Sequence, residues 1–197
     1  AVMDAEGVER AAVFGCSEGA SLAAFFAADH PDRVSHAVLY GSFARLAPEP
    51  PEYPWSFRGR GLGGIEKAIT DSLEGWGEGV MLVPLAPSLL GTDQQPWWGR
   101  YERASMSPQT VRKLLAANLD LDLRPALPMV LVPTLVMHRT MDMLPIEGGR
   151  YVAERIPDAR FVELEGDDHW PWVHDPDEVC GYVEEFLTGR RTAPEPE

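Results

Sequence analysis

Cysteine is nearly absent: the 197 residues hold only Cys16 and Cys180. Two thiols that far apart fit neither a metal site nor a disulfide framework, and predict reduced thiols in a cytoplasmic protein. Positive charge is also scarce, with 17 Lys and Arg against 31 Asp and Glu, a net charge of −14. That balance argues against nucleic acid and against an anionic membrane surface as partners. The acidic residues are dispersed, as on an ordinary solvated surface. No apolar run approaches the ~20 residues of a membrane span. An initiating methionine and a signal peptide are missing as well. The opening Ala1-Val2-Met3-Asp4-Ala5-Glu6-Gly7 reads as a helix end stopped by Gly7, in a chain joined partway through a fold. No internal repeat is visible. Against these absences stands 45% hydrophobic content, enough for one sizeable core, or for a domain with a small subdomain.

The most informative stretch is Ala11-Ala12-Val13-Phe14-Gly15-Cys16-Ser17-Glu18-Gly19, followed by an alanine-rich run to Ala28. It reads as strand, tight turn and helix, with Ser17 at the apex of Gly-x-Ser-x-Gly. Such a turn strains the serine backbone and exposes its hydroxyl. Gly15 and Gly19 would keep Cβ atoms out of the strand–helix crossing. The backbone N–H of Glu18, in the first helical turn, would face a developing oxyanion. The plainer alternative is a glycine-rich turn whose serine merely caps the helix.

Further along, Ala11–Phe14 reads as a short, fully buried strand and residues 18–29 as the following helix, stopped by His30-Pro31-Asp32-Arg33. Val34–Tyr40 is the next strand, ended by Gly41-Ser42, so a parallel pair with a right-handed crossover is expected. Residues 44–60 are irregular and proline-rich. From about 61 to 127 the strand period disappears; Ile65–Gly75 and Pro108–Leu119 read as helices, and 84–100 as a stretch broken by prolines and glycines. Trp55, Trp76, Trp97 and Trp98 lie in this part. They suit an aromatic lid over a pocket or, taken singly, the core of a helical subdomain. Thr134–His138 is a third strand, Glu147–Ile156 a helix stopped by Pro157, Arg160–Leu164 a fourth strand and Pro176–Leu187 a final amphipathic helix. Residues 188–197 read as a disordered tail.

Two later positions complete a constellation. Asp142 follows the third strand, and His169 follows the fourth, in Glu165-Gly166-Asp167-Asp168-His169. Reacting groups gather at the C-terminal edge of a parallel sheet, and the order Ser…Asp…His is that of one serine-triad fold out of three. Asp167 and Asp168 are rivals to Asp142, but sit too close in sequence to turn easily onto the His169 ring. His30 and His174 read as surface residues. His138 is a possible pocket residue, and Trp170 and Trp172 either line the pocket or simply pack.

On these residues the chain resembles the α/β-hydrolase superfamily. The matching segments are Gly15-Cys16-Ser17-Glu18-Gly19, His30-Pro31-Asp32-Arg33-Val34, Pro133-Thr134-Leu135-Val136, Asp142 and Gly166-Asp167-Asp168-His169. More narrowly it resembles bacterial hydrolases found alone or fused to class III adenylate cyclase domains. That likeness rests on Gly15–Ala20, Gly75-Trp76-Gly77-Glu78-Gly79, His138-Arg139-Thr140 and Gly166–Trp172. The resemblance implies an α/β fold, the C-terminal portion of an α/β-hydrolase, with a parallel sheet flanked by helices. Core segments would cover 1–43 and 129–187, around a helical cap at 44–128. It implies Ser17 as nucleophile, His169 as acid–base, Asp142 as its orienting partner and the Glu18 N–H as one oxyanion donor. No metal and no cofactor are implied. Cys16 would be a buried structural thiol beside the site.

Complete members of the family have eight strands. The resemblance therefore leads to an expectation that earlier strands, and a His-Gly loop with the second oxyanion donor, precede Ala1. The elbow strand would then show a bare apolar edge, and the 197 residues alone would have little esterase activity. The expected function is a serine hydrolase acting on a carboxylic ester or related small acyl substrate. The alternatives are a non-catalytic sensor domain of a larger cyclase-type signalling protein and a cofactor-free perhydrolase.

Overall fold

Short apolar runs, only the last of them alternating, lie side by side in chain order as four strands. The computed structural model describes residues 1–55, 64, 67, 70, 71 and 73–191. Strands β1 (Ala11–Cys16), β2 (Val34–Tyr40), β3 (Thr134–Arg139) and β4 (Arg160–Leu164) form one sheet in the order β1-β2-β3-β4. All three pairings are parallel. Parallel neighbours need crossovers, which are supplied by α2 (Glu18–Asp29), by the long β2–β3 connection and by the helix Ile146–Arg155. A single helical turn, α1 (Val2–Ala5), precedes β1 and ends before Gly7 at φ +66°.

Successive side chains on a strand point to opposite faces, and the core divides accordingly. Leu39 and Val136 join Ala20, Ala24, Ala27, Val152 and Ile156 on one face. Val38, Tyr40, Leu135, Met137 and Leu164 join Val179, Val183 and Phe186 on the other. The sheet thus lies between α2 with Ile146–Arg155 and the final helix, Pro176–Thr188. Alanines on α2 let that helix lie close to the strands. The last helix is delimited locally: the Asp175 carboxylate accepts the Glu178 N–H at 2.9 Å, Pro176 opens the first turn, and Gly189 ends it at φ +74°.

Several expectations need correction. The elbow strand runs two residues further than Phe14 and is not fully buried: it is an outer strand of the four, and Phe14 is 49% exposed. The stretch 84–100 is not simply broken. It holds a turn at Leu82–Leu85, which we call α3, and most of a 12-residue helix, α4 (Gln94–Ser105). Pro96 sits in the first turn of α4, where its missing N–H costs nothing. The helix expected at 108–119 is α5 (Pro108–Asp120), capped by Ser107 with Pro108 at its first position. Five residues of the helix read over 65–75 (65, 66, 68, 69 and 72) lie outside the described residues; of the six described, 67, 70, 71, 73 and 74 are helical. Most of the tail, 192–197, lies outside them too. In the same numbering Ile146–Arg155 is α6 and Pro176–Thr188 is α7.

Both ends of the β2–β3 connection are held together beside the sheet. Leu123 N–H donates to the Ala44 carbonyl at 2.9 Å. Arg45 pairs with Glu49 at 2.9 Å and Asp122 at 3.1 Å, and Arg124 pairs with the same two carboxylates at 2.6 and 2.7 Å. Farther out, the buried Glu102 carboxylate ties α4 to a glycine turn. It accepts N–H groups from Gly77 at 2.8 Å, Gly79 at 3.0 Å and Met81 at 3.0 Å.

The two glycines of the elbow play different parts. A Cβ on Gly15 would overlap the Gly19 carbonyl and Ala20 Cα, whereas a Cβ on Gly19 meets nothing within 4 Å. Only Gly15 guards the crossing. Gly15→Ala is expected to destabilise the fold by about 1–3 kcal/mol through overpacking. Gly19→Ala, early in a helix, should be neutral or stabilising by up to about 1 kcal/mol. Urea unfolding of the two variants checks this.

Candidate active site

The C-terminal ends of β1, β3 and β4 each deliver one side chain to the same edge of the sheet. At the end of β1 the chain turns sharply into α2, and Ser17 takes φ 58° and ψ −126°. A serine rarely adopts that conformation, which costs of order 1–3 kcal/mol when the surroundings enforce it. Here Ser17 N–H donates to the Tyr40 carbonyl at 2.9 Å, and the Ser17 carbonyl accepts from Ala20 N–H at 3.0 Å. Ser17 is 8% exposed and faces a cavity. Glu18 opens α2, where a backbone N–H has no carbonyl one turn earlier to receive it.

The loops after β3 and β4 are stitched to each other. Thr140 N–H reaches the Leu164 carbonyl at 2.8 Å, and Met141 N–H the Gly166 carbonyl at 3.0 Å. Arg139, fully buried, donates to the carbonyls of Glu165 at 2.6 Å and Val173 at 2.9 Å, on either side of His169. The sequence quoted Arg139 only within a resemblance; as a brace for this loop it was missed. His169 Nδ1 then lies 2.8 Å from Asp142 Oδ2 and 3.0 Å from Oδ1, with both side chains at 0% exposure. An ionised carboxylate only accepts, so Nδ1 carries the proton. His169 Nε2 is left buried without a hydrogen-bond partner among the described residues. That is the state of a lone pair waiting for a donor.

Asp142 is held from other sides as well. Its Oδ1 accepts Leu144 N–H at 2.9 Å, and His138 Nε2 lies 3.9 Å from Oδ2. Burial pushes the Asp142 carboxyl upward, but the charge and hydrogen bond of His169 outweigh it and hold it below the usual carboxylate range. His138 does not line the cavity. It is fully buried, its Nε2–H directed at the Leu144 carbonyl at 3.0 Å and its Nδ1 packed against Gly149. Burial pulls its pKa down, so it stands as a neutral ring behind Asp142. Gly41, φ +56°, packs on the imidazole: a Cβ there would come within 2.8 Å of His169 Cε1. That requirement was missed, since Gly41 read only as a strand end.

The rival carboxylates separate cleanly. Asp167 is exposed. Asp168 is buried and turned away from the ring onto the β2–β3 connection, accepting Ser88 N–H at 3.1 Å and Ser88 Oγ–H at 2.7 Å. His169 N–H adds a bond to the Leu85 carbonyl at 2.8 Å. The loop that carries the histidine is thereby fastened to the helical connection above it.

That connection roofs a cavity of about 310 Å³ with Ser17 on its floor. Phe43, Leu85, Trp98, Leu115, Met143 and Trp170 contribute to an almost wholly apolar wall. Trp76 and Trp98 line it; Trp97, half exposed, does not. Of Cys16, His138, Trp170 and Trp172, each a possible pocket residue, only Trp170 lines the cavity. Trp172 is 57% exposed and stacks on Trp170 at 4.9 Å. Cys16 stands on β1 behind the elbow, half-buried rather than buried, and burial pushes its thiol up to about 12. His30 and His174 are exposed. Among the described residues no three His, Cys, Asp or Glu side chains converge as a metal site would need.

A parallel sheet whose strand ends bear a strained serine, an aspartate and a histidine in that order defines an α/β-type hydrolase scaffold. The family model for the alpha/beta hydrolase fold matches residues 1–176, and the chain belongs to that family. A pimeloyl-[acyl-carrier protein] methyl ester esterase from Chromobacterium violaceum is 28% identical over 184 residues, covering 90% of this chain and 70% of the relative. The crystal structure of an enol-lactonase from Burkholderia xenovorans LB400 superimposes with a TM-score of 0.74 at 26% identity, covering 95% of this chain and 69% of the other. A hydrolase from Oleispira antarctica, at 17% identity and TM-score 0.81, covers 96% and 69% and shares the fold.

Two outcomes follow from this geometry. With its pKa near 12, Cys16 is almost entirely thiol at pH 8 and should resist iodoacetamide in the folded protein, while the exposed Cys180 reacts. Peptide mapping after labelling, native against denatured, reads the difference. Asp168→Ala should cost about 1–3 kcal/mol and Ser88→Ala about 1 kcal/mol in urea unfolding, with the double variant costing less than the sum.

Proposed function

We propose that this chain is a serine hydrolase that cleaves a carboxylic ester, or a related small acyl compound, through an acyl-enzyme. The observation that carries the reading is the buried pair of His169 Nδ1 and Asp142 at 2.8 Å, with His169 Nε2 unpartnered at the strand edge where Ser17 faces the cavity. An imidazole proton directed at Asp142 leaves the Nε2 lone pair as the base. It removes the Ser17 hydroxyl proton as Oγ attacks the substrate carbonyl. The Glu18 N–H receives the developing oxyanion; one such donor is typically worth roughly 10²–10³ in rate. The imidazolium formed is stabilised by Asp142, then returns the proton to the departing alcohol. Water repeats the cycle on the acyl-enzyme, with Nε2 again the base. The β2–β3 connection serves as the cap that excludes bulk water. The names of two relatives, a methyl ester esterase and an enol-lactonase, support acyl–oxygen cleavage here too.

Purified protein should be labelled at Ser17 by a fluorophosphonate and hydrolyse p-nitrophenyl butyrate at a low but measurable rate, in keeping with the little esterase activity expected of these 197 residues alone. Ser17→Ala should abolish labelling and lower kcat by about 10⁴–10⁶. Failure of the wild-type chain to label at Ser17 would refute the mechanism.

A further inference from the structure

Where the proposed acyl group must lie, the described residues bring no cationic side chain to the walls. Among the described residues the cavity is lined by no lysine or arginine, and its one wall carboxylate besides Glu18 is Glu102. The backbone cradle at the wall residue Met81 is already taken. Gly77, Gly79 and Met81 donate at 2.8, 3.0 and 3.0 Å to Glu102, which fills that backbone cradle with the protein's own negative charge. The indole nitrogens of Trp98 and Trp170 are closed off from water, so neither presents a donor to the cavity. Leu144 N–H, beside the floor, is held by Asp142. A carboxylate placed among Leu85, Met106, Val111 and Leu115 would lose its hydration and find no cationic partner among the described residues, the polar side chains of the wall being the neutral Tyr101, Ser105 and Asn118 and the acidic Glu18 and Glu102. An ion buried without a countercharge is among the costliest groups a site can hold. Glu102, Asp142 and the net charge of −14 all add repulsion.

The inference rests on the hydrolase reading and narrows it. We propose that the cavity takes an uncharged, apolar acyl ester of about ten non-hydrogen atoms, its 310 Å³ taken at roughly 30 Å³ per atom, and turns away acyl chains ending in a carboxylate. Apolar contact with the aromatic and methionine side chains supplies the binding, and the ester carbonyl supplies the one polar group that the site meets.

A matched pair tests this: methyl hexanoate against monomethyl adipate, which differ in the terminal carboxylate. Turnover by the wild-type chain is read as methanol release, and binding to Ser17→Ala as quenching of tryptophan fluorescence, since Trp76, Trp98 and Trp170 line the cavity. The neutral ester should bind at least 30-fold more tightly and show at least 100-fold higher kcat/KM. Equal or tighter binding of the adipate ester, or binding of neither, overturns the inference while leaving Ser17 labelling to judge the hydrolase reading. Preferential binding of methyl hexanoate without Ser17 labelling supports the cavity's selectivity and sinks the hydrolase reading alone.

Discussion

A carboxylate and an imidazole, both removed from water, hold one another across the gap between two loops. The contact of Asp142 with His169 is what the rest of this edge of the sheet is arranged to sustain. An ion in such a place is tolerable only when its lone pairs are engaged, and Asp142 satisfies that with the imidazole N–H and the Leu144 amide. Since the pair spans the loops after β3 and β4, its geometry depends on their register. Arg139 sets that register by bonding to carbonyls on both sides of the histidine, and Gly41 leaves the ring the width it needs. The strained backbone at Ser17 is maintained in the same way, by the hydrogen bond its N–H donates to the Tyr40 carbonyl at the end of the neighbouring strand.

The roof over the site is assembled on a second buried carboxylate with the opposite logic. Glu102 has no cationic partner in its hydrogen-bond set; three backbone N–H groups of a glycine-rich turn enclose it. Glycines at 77 and 79, both at positive φ, allow those amides to converge. The link between roof and floor runs through Ser88 and Asp168, next to the histidine. A change in the roof at Ser88 is therefore transmitted to the loop that carries His169.

The strands and the elbow were legible because each is a local pattern: a short apolar run for β1, an apolar stretch ended by Gly41-Ser42 for β2, alternation for β4, glycine spacing for the turn, chain order for Asp142 and His169. The features that escaped are those decided by distant partners. Nothing near Glu102 in the chain announces the amides of residues 77–81, and nothing near Asp168 announces Ser88. Helix α4 was obscured by a proline that lies in its harmless first turn. Both elbow glycines looked alike in sequence, yet only Gly15 is pressed against backbone. His138 was placed near the site for the right reason, the end of β3, but the alternation of β3 turns its ring under Gly149 rather than into the cavity.

At the neck of the β2–β3 connection, Arg45, Arg124, Glu49 and Asp122 bring positions almost eighty residues apart into contact. As far as the sheet is concerned, the excursion begins and ends at one point, like a short hairpin. The strands and their loops can thus keep their register whatever is strung between those two ends. Such an arrangement separates the part of the chain free to drift from the part that is not. Away from the Ser88–Asp168 and Leu85–His169 links, the roof can be remodelled by insertion, deletion or exchange while the sheet and the buried Asp142–His169 pair beneath keep their places.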